Sequence, residues 1–379
     1  MIIQSKKVWI ADQFTPAQLE LEDGIIKEIY PYNEKEVTKD YGDLRILPGF
    51  IDIHCHGAYG FDTNYAYEDG LRKWTKGIVD EGVTSFLATT LTQSEEVLTK
   101  AVSNVAKVVE EGYEGAEILG IHFEGPYLNK ERKGAHPEEY CVKADIEQFK
   151  RYQNAAHGLI KYMTMAVEND EDFSLIKYCS QNGVVVSIGH SNATYEQAVQ
   201  AYAHGARSIT HVFNAMSPFT HRENGLVGAG FRIRNMYSEI NGDGNHVTLA
   251  AINNFFASKG PDYGIMITDS LMCKGFPVGS KFDLGGQEVV IYPDGSAHLV
   301  EAGNLAGSTL KMNKGLQILI EDALVPVNYA INACTSNPAR CLHVDDRKGT
   351  IGIGYDADLV VLDKDYEVVQ TYCKGIGQK

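Results

Sequence analysis

Short apolar runs alternate with longer amphipathic stretches through most of the chain. Eight runs have the length and composition of buried strands: FIDIH, VTSFLAT, ILGIHFE, YMTMAVE, VVVSIGH, SITHVFN, MYSEINGD and GIMITD. The stretches between them, such as SEEVLTKAVSNVAKVVEEG, begin with hydroxyl or acidic residues and end with glycine, as helices do. Continuous apolar strands that alternate with helices pair in parallel, and eight such units close into a barrel. The pattern therefore predicts an α/β fold, a (β/α)8 TIM-type barrel, over residues 48–344.

The two ends of the chain have a different pattern. Residues 1–47 and residues 345–379 hold short apolar stretches broken by turn residues, which favours strands over helices. We expect these two segments to pair into one small β-sandwich domain beside the barrel. A segment near residues 281–301 has a Pro-Asp-Gly turn between alternating runs, which predicts a hairpin inserted into the barrel domain.

Charge and cysteine content narrow the classes of protein. The 379 residues include 34 Lys and Arg against 50 Asp and Glu, a net charge of -16, which disfavours nucleic acid and anionic membranes as partners. No run of 18 apolar residues occurs, so we expect no membrane-spanning helix. The seven scattered cysteines and an N-terminus without an apolar signal core predict a cytoplasmic protein.

Residues of the types that bind metals close several predicted strands. They are His54 and His56 after the first strand, Glu124 after the third, His190 and His211 after the fifth and sixth, and Asp269 after the eighth. Active sites of such barrels lie at the carboxyl ends of the strands, so we expect these side chains to converge. A lone histidine at a strand end is usually structural, whereas six converging N and O ligands indicate a divalent metal. Zn²⁺ suits them best, and Fe, Mn, Co or Ni are the alternatives.

A metal at this position would polarise a carbonyl group and lower the pKa of a bound water molecule to about 7. Asp269 would then accept a proton as general base and deliver it to the departing group as general acid. The alternative roles for Asp269 are a metal ligand without proton transfer or a helix cap.

Several motifs resemble the amidohydrolase superfamily, and they occur in the expected order over almost the whole chain. They are PGFIDIHCHGAYGF at residues 48–61, HFEGPYLN, GHSNATYEQA, THVFNAM, ITDS, AGSTL and GYDADLVVLD. The resemblance implies that Glu124, His190 and His211 hold the principal metal. It also implies that His54 and His56 complete a second site that shares Glu124, with one or two ions per subunit, and that Asp269 is the catalytic acid and base.

The same resemblance implies a substrate. We expect hydrolysis of the acetamide of N-acetyl-D-glucosamine 6-phosphate to D-glucosamine 6-phosphate and acetate, in amino-sugar catabolism. His136 would donate to the amide carbonyl, while Arg222 and His246 suit the phosphate. Because Arg222 would reach the neighbouring subunit's site, a homodimer is implied. The substrate-binding positions that carry over are Ala135, His136, Asn214, Ala215, Arg222, His246, Leu305, Ala306 and Gly307.

Other functions remain open at this point. The first alternative keeps the chemistry and changes the sugar to N-acetylgalactosamine 6-phosphate. The second is another amidohydrolase that acts on an N-acyl or cyclic amide. The third is a catalytically silent barrel that serves as a binding protein, although no ligand or acid of the predicted site is missing. No nucleotide-binding glycine fingerprint precedes a helix, so nucleotide binding has little support.

Overall fold

The computed structural model describes residues 1–378, and its largest parallel sheet is the predicted barrel. All eight apolar runs form strands, and each strand pairs with the next one along the chain. The last strand returns to the first through a bridge between Cys55 and Ser270 and a hydrogen bond from the amide of Asp269 to the carbonyl of His54, 2.9 Å long. The predicted barrel is confirmed. Barrel strands 1 to 8 are Phe50–Cys55, Val83–Thr90, Glu117–Glu124, Ile160–Met165, Val185–Ile188, Ser208–Ile209, Tyr237–Asn241 and Gly264–Ile267.

Helices connect the barrel strands and pack around them. Hydroxyl residues cap two of the helices as the sequence pattern indicates: Ser94 accepts from the amide of Val97, and Thr194 forms a capping box with Gln197. Among residues 1–378, none of the helices combines the length and the apolar character needed to cross a membrane. The α-helices are Glu68–Gly77, Glu95–Glu111, Ile146–Ala155, Ser174–Gln181, Tyr195–His204, Gly225–Arg232, Leu249–Lys259, Met312–Gln317, Val327–Cys334 and Ser336–Cys341.

The two ends of the chain form a separate eight-stranded sheet. The N-terminal segment joins the C-terminal one where Arg45–Pro48 pairs antiparallel with Leu359–Leu362. This sheet has its own apolar core, which includes Ile3, Leu19 and Val361. A separate β domain built from both ends is thus confirmed, while the boundaries 1–47 and 345–379 stay a prediction. Its strands are Ile2–Ile10, Gln13–Glu22, Ile25–Pro31, Lys39–Asp40, Arg45–Pro48, Leu359–Leu362, Val368–Cys373 and Ile376–Gly377.

The inserted segment forms a three-stranded antiparallel sheet, one strand more than a hairpin. Its strands are Lys281–Leu284, Gln287–Ile291 and Ala297–Leu299. The first turn is Gly285-Gly286, and both glycines have positive φ (60° and 92°), the conformation that a two-residue turn of this kind requires. The apolar face of this sheet packs against Leu91 and Leu271 near the carboxyl ends of the barrel strands. The insertion therefore forms one wall above the barrel mouth. A further two-stranded pair, Gly57–Ala58 with Phe61–Asp62, follows barrel strand 1.

Candidate metal centre and active-site cleft

The carboxylate of Glu124 lies at the centre of a cluster of imidazoles. Its Oε1 is 3.3 Å from Nε2 of His190 and 3.4 Å from Nε2 of His211. Its Oε2 is 3.2 Å from Nε2 of His56, and Nε2 of His54 is 3.5 Å from Oε1. The six side chains predicted from the strand ends therefore meet, and all six are buried.

Two groups of three residues in this cluster have the geometry of metal sites. The first group consists of Glu124, His190 and His211. The second group consists of His54, His56 and Asp269. Within each group the potential ligand atoms lie within 4.8 Å of one another. Strands 1 and 8 supply the second group, and strands 3, 5 and 6 supply the first.

The hydrogen bonding of these residues tests whether a metal fits. Nε2 of His54 and Oε1 of Glu124 are buried and have no hydrogen-bond partner among the described residues. Buried polar atoms are otherwise almost always paired, so both atoms lack a partner that a cation would supply. Imidazole and carboxylate ligands in this number suit Zn²⁺ or another first-row divalent ion. The residues present therefore fit a metal centre.

Both carboxylates of the cluster are held in the ionised form. Burial alone would raise the pKa of Glu124, but the facing imidazoles, His54 first among them, hold that pKa well below its usual range. Burial alone would also raise the pKa of Asp269, but the neighbouring His54 and His56 outweigh burial and lower that pKa. Two anionic groups thus face the space between the two groups of ligands, as binding of divalent cations requires.

The backbone turns sharply where three of these side chains leave their strands. His190, His211 and Asp269 have φ values of 47°, 27° and 51°, in the left-handed region that favours glycine. Such strain concentrates at functional sites, where the surrounding structure holds it in place. Here it directs the side chains toward the barrel mouth.

His136 lies in the loop after barrel strand 3 and also faces Glu124. Its Nε2 is 3.4 Å from Oε2 of Glu124, and its Nδ1 accepts a hydrogen bond of 3.2 Å from the amide of Thr92. Burial, together with the neighbouring His190, lowers the pKa of His136 to about 4. The ring is therefore neutral at pH 7, and because Nδ1 is an acceptor, the proton is on Nε2. His136 thus presents an N–H donor beside the candidate metal ligands.

A cavity of about 390 Å³ opens above the cluster, within the size range of small-molecule sites. Asn214 adds a buried Nδ2 that has no hydrogen-bond partner among the described residues. Arg222 is the exception among the predicted substrate residues, because it is exposed and does not line this cavity. The predicted substrate residues that do line it are Ala135, His136, Asn214, Ala215, His246, Leu305, Ala306 and Gly307.

Sequence reasoning missed other residues of the cavity wall. The carbonyl of Arg132 accepts from Nδ1 of His190 (2.8 Å), which leaves Nε2 of that ring for a metal. Gly134 has a φ of 58°, and a Cβ there would lie 3.1 Å from Cε1 of His190, so glycine lets this loop approach the ligand. Gly134 lies within the Lys-Gly-Ala-His run and Arg132 directly precedes it, and that run was the available signal. The missed wall residues are Leu91, Glu131, Arg132, Gly134, Leu271, Leu284 and Asn304.

Comparison with known proteins places this geometry in a family. Residues 45–376 match the amidohydrolase family. The chain is 40% identical to N-acetylglucosamine-6-phosphate deacetylase of Bacillus subtilis, over 91% of this chain and 87% of the relative. It is 32% identical to N-acetylgalactosamine-6-phosphate deacetylase of Escherichia coli O157:H7, over 97% of this chain and 95% of the relative.

Solved structures agree with this assignment. A mutant N-acetyl-D-glucosamine-6-phosphate deacetylase of Mycobacterium smegmatis, in complex with N-acetyl-D-glucosamine-6-phosphate, superimposes with a TM-score of 0.94 at 29% identity. The match covers 100% of this chain and 99% of that one. The fold, the ligand cluster at the barrel mouth and these relatives lead to one conclusion: the chain belongs to the amidohydrolase family, in the branch that contains these deacetylases.

Proposed function

We propose that this protein hydrolyses the acetamide of N-acetyl-D-glucosamine 6-phosphate to D-glucosamine 6-phosphate and acetate, in amino-sugar catabolism. One observation carries the proposal: Glu124 faces five imidazoles, and one of them, His136, presents an N–H donor at the same cavity. An amide that enters this cavity meets the candidate metal ligands, a donor and Asp269 together. The names of the relatives support this substrate class.

The metal is proposed as zinc, bound at Glu124, His190 and His211, with a second ion held by His54, His56 and Asp269 beside Glu124. A bound divalent ion would polarise the amide carbonyl and lower the pKa of a water molecule. Two side chains would then transfer the proton of the water molecule and stabilise the negative charge on the carbonyl oxygen. His136 donates from Nε2 to the carbonyl oxygen, where negative charge develops. Asp269 accepts the proton of the attacking water and delivers it to the leaving nitrogen.

The phosphate is proposed to bind near His246, which lines the cavity. Nδ1 of His246 lies 2.6 Å from Oδ2 of Asp243. Burial alone would lower the pKa of His246, but this hydrogen bond raises it above its usual value. The ring therefore keeps a positive charge to higher pH than a free histidine, which suits an anionic group. The unpaired Nδ2 of Asn214 supplies a further donor.

Arg222 is proposed to complete the phosphate site of a second copy of the chain. It lies in an exposed segment just before the helix Gly225–Arg232 and outside the cavity wall of its own chain. A guanidinium recognises phosphate through paired hydrogen bonds, so an exposed arginine that does not line its own cavity suits a homodimer in which each subunit supplies Arg222 to the other. We also propose a cytoplasmic location, in keeping with seven cysteines that are all buried and free.

N-Acetylgalactosamine 6-phosphate is the second candidate substrate, because the E. coli relative at 32% identity carries that name. The test compares kcat/KM for both phosphosugars and for unphosphorylated N-acetylglucosamine. We expect the highest value for N-acetylglucosamine 6-phosphate. A higher kcat/KM for N-acetylgalactosamine 6-phosphate would make that sugar the preferred substrate. Equal kcat/KM values for phosphorylated and unphosphorylated N-acetylglucosamine would contradict the proposed phosphate site.

Asp269→Asn tests the assigned chemistry in the same assay. We expect a loss of turnover of about 10²–10⁴-fold with a metal still bound at Glu124, His190 and His211. Asp262→Asn is the matched control, because Asp262 is exposed at the opposite end of the same barrel strand. An active Asp269→Asn enzyme would end the proposed role of Asp269 in proton transfer.

A further inference from the structure

Barrel strand 7 supplies no predicted ligand, yet two of its side chains contact the second group. Glu239 and Asn241 are two residues apart on Tyr237–Asn241, so both point to the same side of the strand. Oε2 of Glu239 is 2.9 Å from Nδ1 of His54. Nδ2 of Asn241 donates to Oδ2 of Asp269 over 3.1 Å. Glu239 and Asn241 are fully buried, so water does not compete for these contacts.

The carboxylate of Glu239 is itself fixed in place. The hydroxyl of Tyr162 lies 2.5 Å from its Oε1, and the amide of His211 donates to Oε2 over 3.4 Å. A carboxylate accepts hydrogen bonds, so Nδ1 of His54 must carry the proton that they share. Nε2 is then the ring nitrogen of His54 that can give its lone pair to a cation, and it lies 3.5 Å from Glu124 and 3.4 Å from Asp269. This is the tautomer that a metal ligand at Nε2 needs.

Asn241 acts in a similar way on Asp269. Its amide occupies Oδ2 of the carboxylate, which leaves Oδ1 facing Nε2 of His56 at 3.3 Å. The orientation of the Asp269 side chain is thus set from strand 7, although Asp269 itself follows strand 8. Together the two contacts hold the proton of His54 on Nδ1 and set the rotation of the Asp269 carboxylate.

We propose that Glu239 and Asn241 are positioning residues that make His54, His56 and Asp269 competent to hold a second divalent ion. The inference rests on the proposed metal-dependent function, and it adds that occupancy by two ions depends on barrel strand 7. Partners of metal-ligating histidines typically change metal affinity 10–100-fold. The effect should therefore be confined to one of two binding events.

Glu239→Gln tests this in the full chain after the metal has been removed with a chelator. Calorimetric titration with Zn²⁺ should give two equivalents per chain for the wild type. In the variant one equivalent should keep its affinity and the other should weaken by about 10–100-fold. Glutamine removes the negative charge that holds the proton on Nδ1 of His54, and its neutral carbonyl is a weaker acceptor, so Nε2 becomes a poorer metal ligand. Asn241→Ala should weaken the same event, and Glu288→Gln, on the exposed side of the inserted sheet, is the matched control.

Two binding events of unchanged affinity in Glu239→Gln would overturn the proposal, and so would a wild type that binds only one equivalent. A measurement on the wild type stands even if the variants do not fold. In protein loaded with ¹¹³Cd²⁺, the ¹⁵N spectrum of His54 should show the proton on Nδ1 and coupling of Nε2 to cadmium. The reverse assignment would also overturn the proposal. Neither experiment uses turnover, so failure here leaves the substrate proposal to its own test.

Discussion

The backbone amide of Thr92 donates to Nδ1 of His136 across 3.2 Å, and this contact determines which ring nitrogen carries the proton. With its pKa lowered to about 4 by burial and by His190, the ring stays a neutral Nε2–H donor at every pH above about 5. His136→Ala should therefore lower kcat by about 10²–10³-fold, as loss of one donor to a developing oxyanion does. Bound metal, measured by elemental analysis, should not change.

His157→Ala controls for the loss of an imidazole, because His157 is exposed and pairs with Glu110. An unchanged kcat in His136→Ala would remove the ring from the chemistry. A fall in bound metal equal to the fall in kcat would instead make His136 a ligand.

His246 should make phosphate recognition dependent on pH. Its pKa is raised by Asp243, so the imidazolium contributes fully below about pH 6.5 and its contribution is lost as pH rises through the raised value. The KM for the phosphosugar should rise over that interval, relative to the KM for the unphosphorylated sugar. In His246→Gln the two KM values should change in parallel with pH. If the two KM values of the wild type also changed in parallel with pH, His246 would have no role in binding the phosphate.

Arg222 can be assigned to its own or to a neighbouring site by complementation. Arg222→Ala should raise the KM for the phosphosugar, and Asp269→Asn should lower turnover by about 10²–10⁴-fold. If Arg222 serves the neighbouring subunit, mixing the two variants under conditions of subunit exchange should restore activity, because one site of each mixed dimer is then complete. Arg234→Ala, an exposed arginine beyond the next helix, is the control. Absence of recovery in demonstrated mixed dimers would place Arg222 in its own subunit's site or in neither.

A buried ion pair beneath the loop after barrel strand 8 should matter for stability. Nζ of Lys274 lies 2.9 Å from Oε2 of Glu81, both side chains are fully buried, and the hydroxyl of Tyr59 lies 2.5 Å from Oε1. Lys274→Met should lower the free energy of unfolding by about 3–5 kcal/mol, since it leaves the Glu81 charge buried without its partner. Urea unfolding measures this change.

Lys274→Met combined with Glu81→Leu should recover most of that loss, because no unpaired charge remains. The exposed pair of Lys281 with Glu288 provides the control, and Lys281→Met should change stability little. A double variant no more stable than Lys274→Met would show that packing, and not the unpaired charge, is responsible.

The barrel and the convergence of six side chains at its rim were predictable because both follow from local sequence. A strand buried on both sides is a continuous apolar run, and its last residues mark the carboxyl end, where candidate ligands such as Glu124 lie. Other parts of the site depend on contacts between distant segments. Leu284 reaches the cavity from the inserted sheet, and Glu239 contacts His54 across the barrel interior. Within its own strand Glu239 looks like any polar residue, and only closure of the barrel reveals its partner.

The second group also lies where the barrel closes on itself. His54 ends barrel strand 1 and Asp269 follows barrel strand 8, and their backbones are already joined by a hydrogen bond of 2.9 Å. An ion shared by these side chains would link the first and last strands, so its binding energy would add directly to the stability of the closed ring. The link joins the first and last strands of the barrel, so it would form at the place where the ring closes. Catalytic competence and completion of folding would then depend on the same contact.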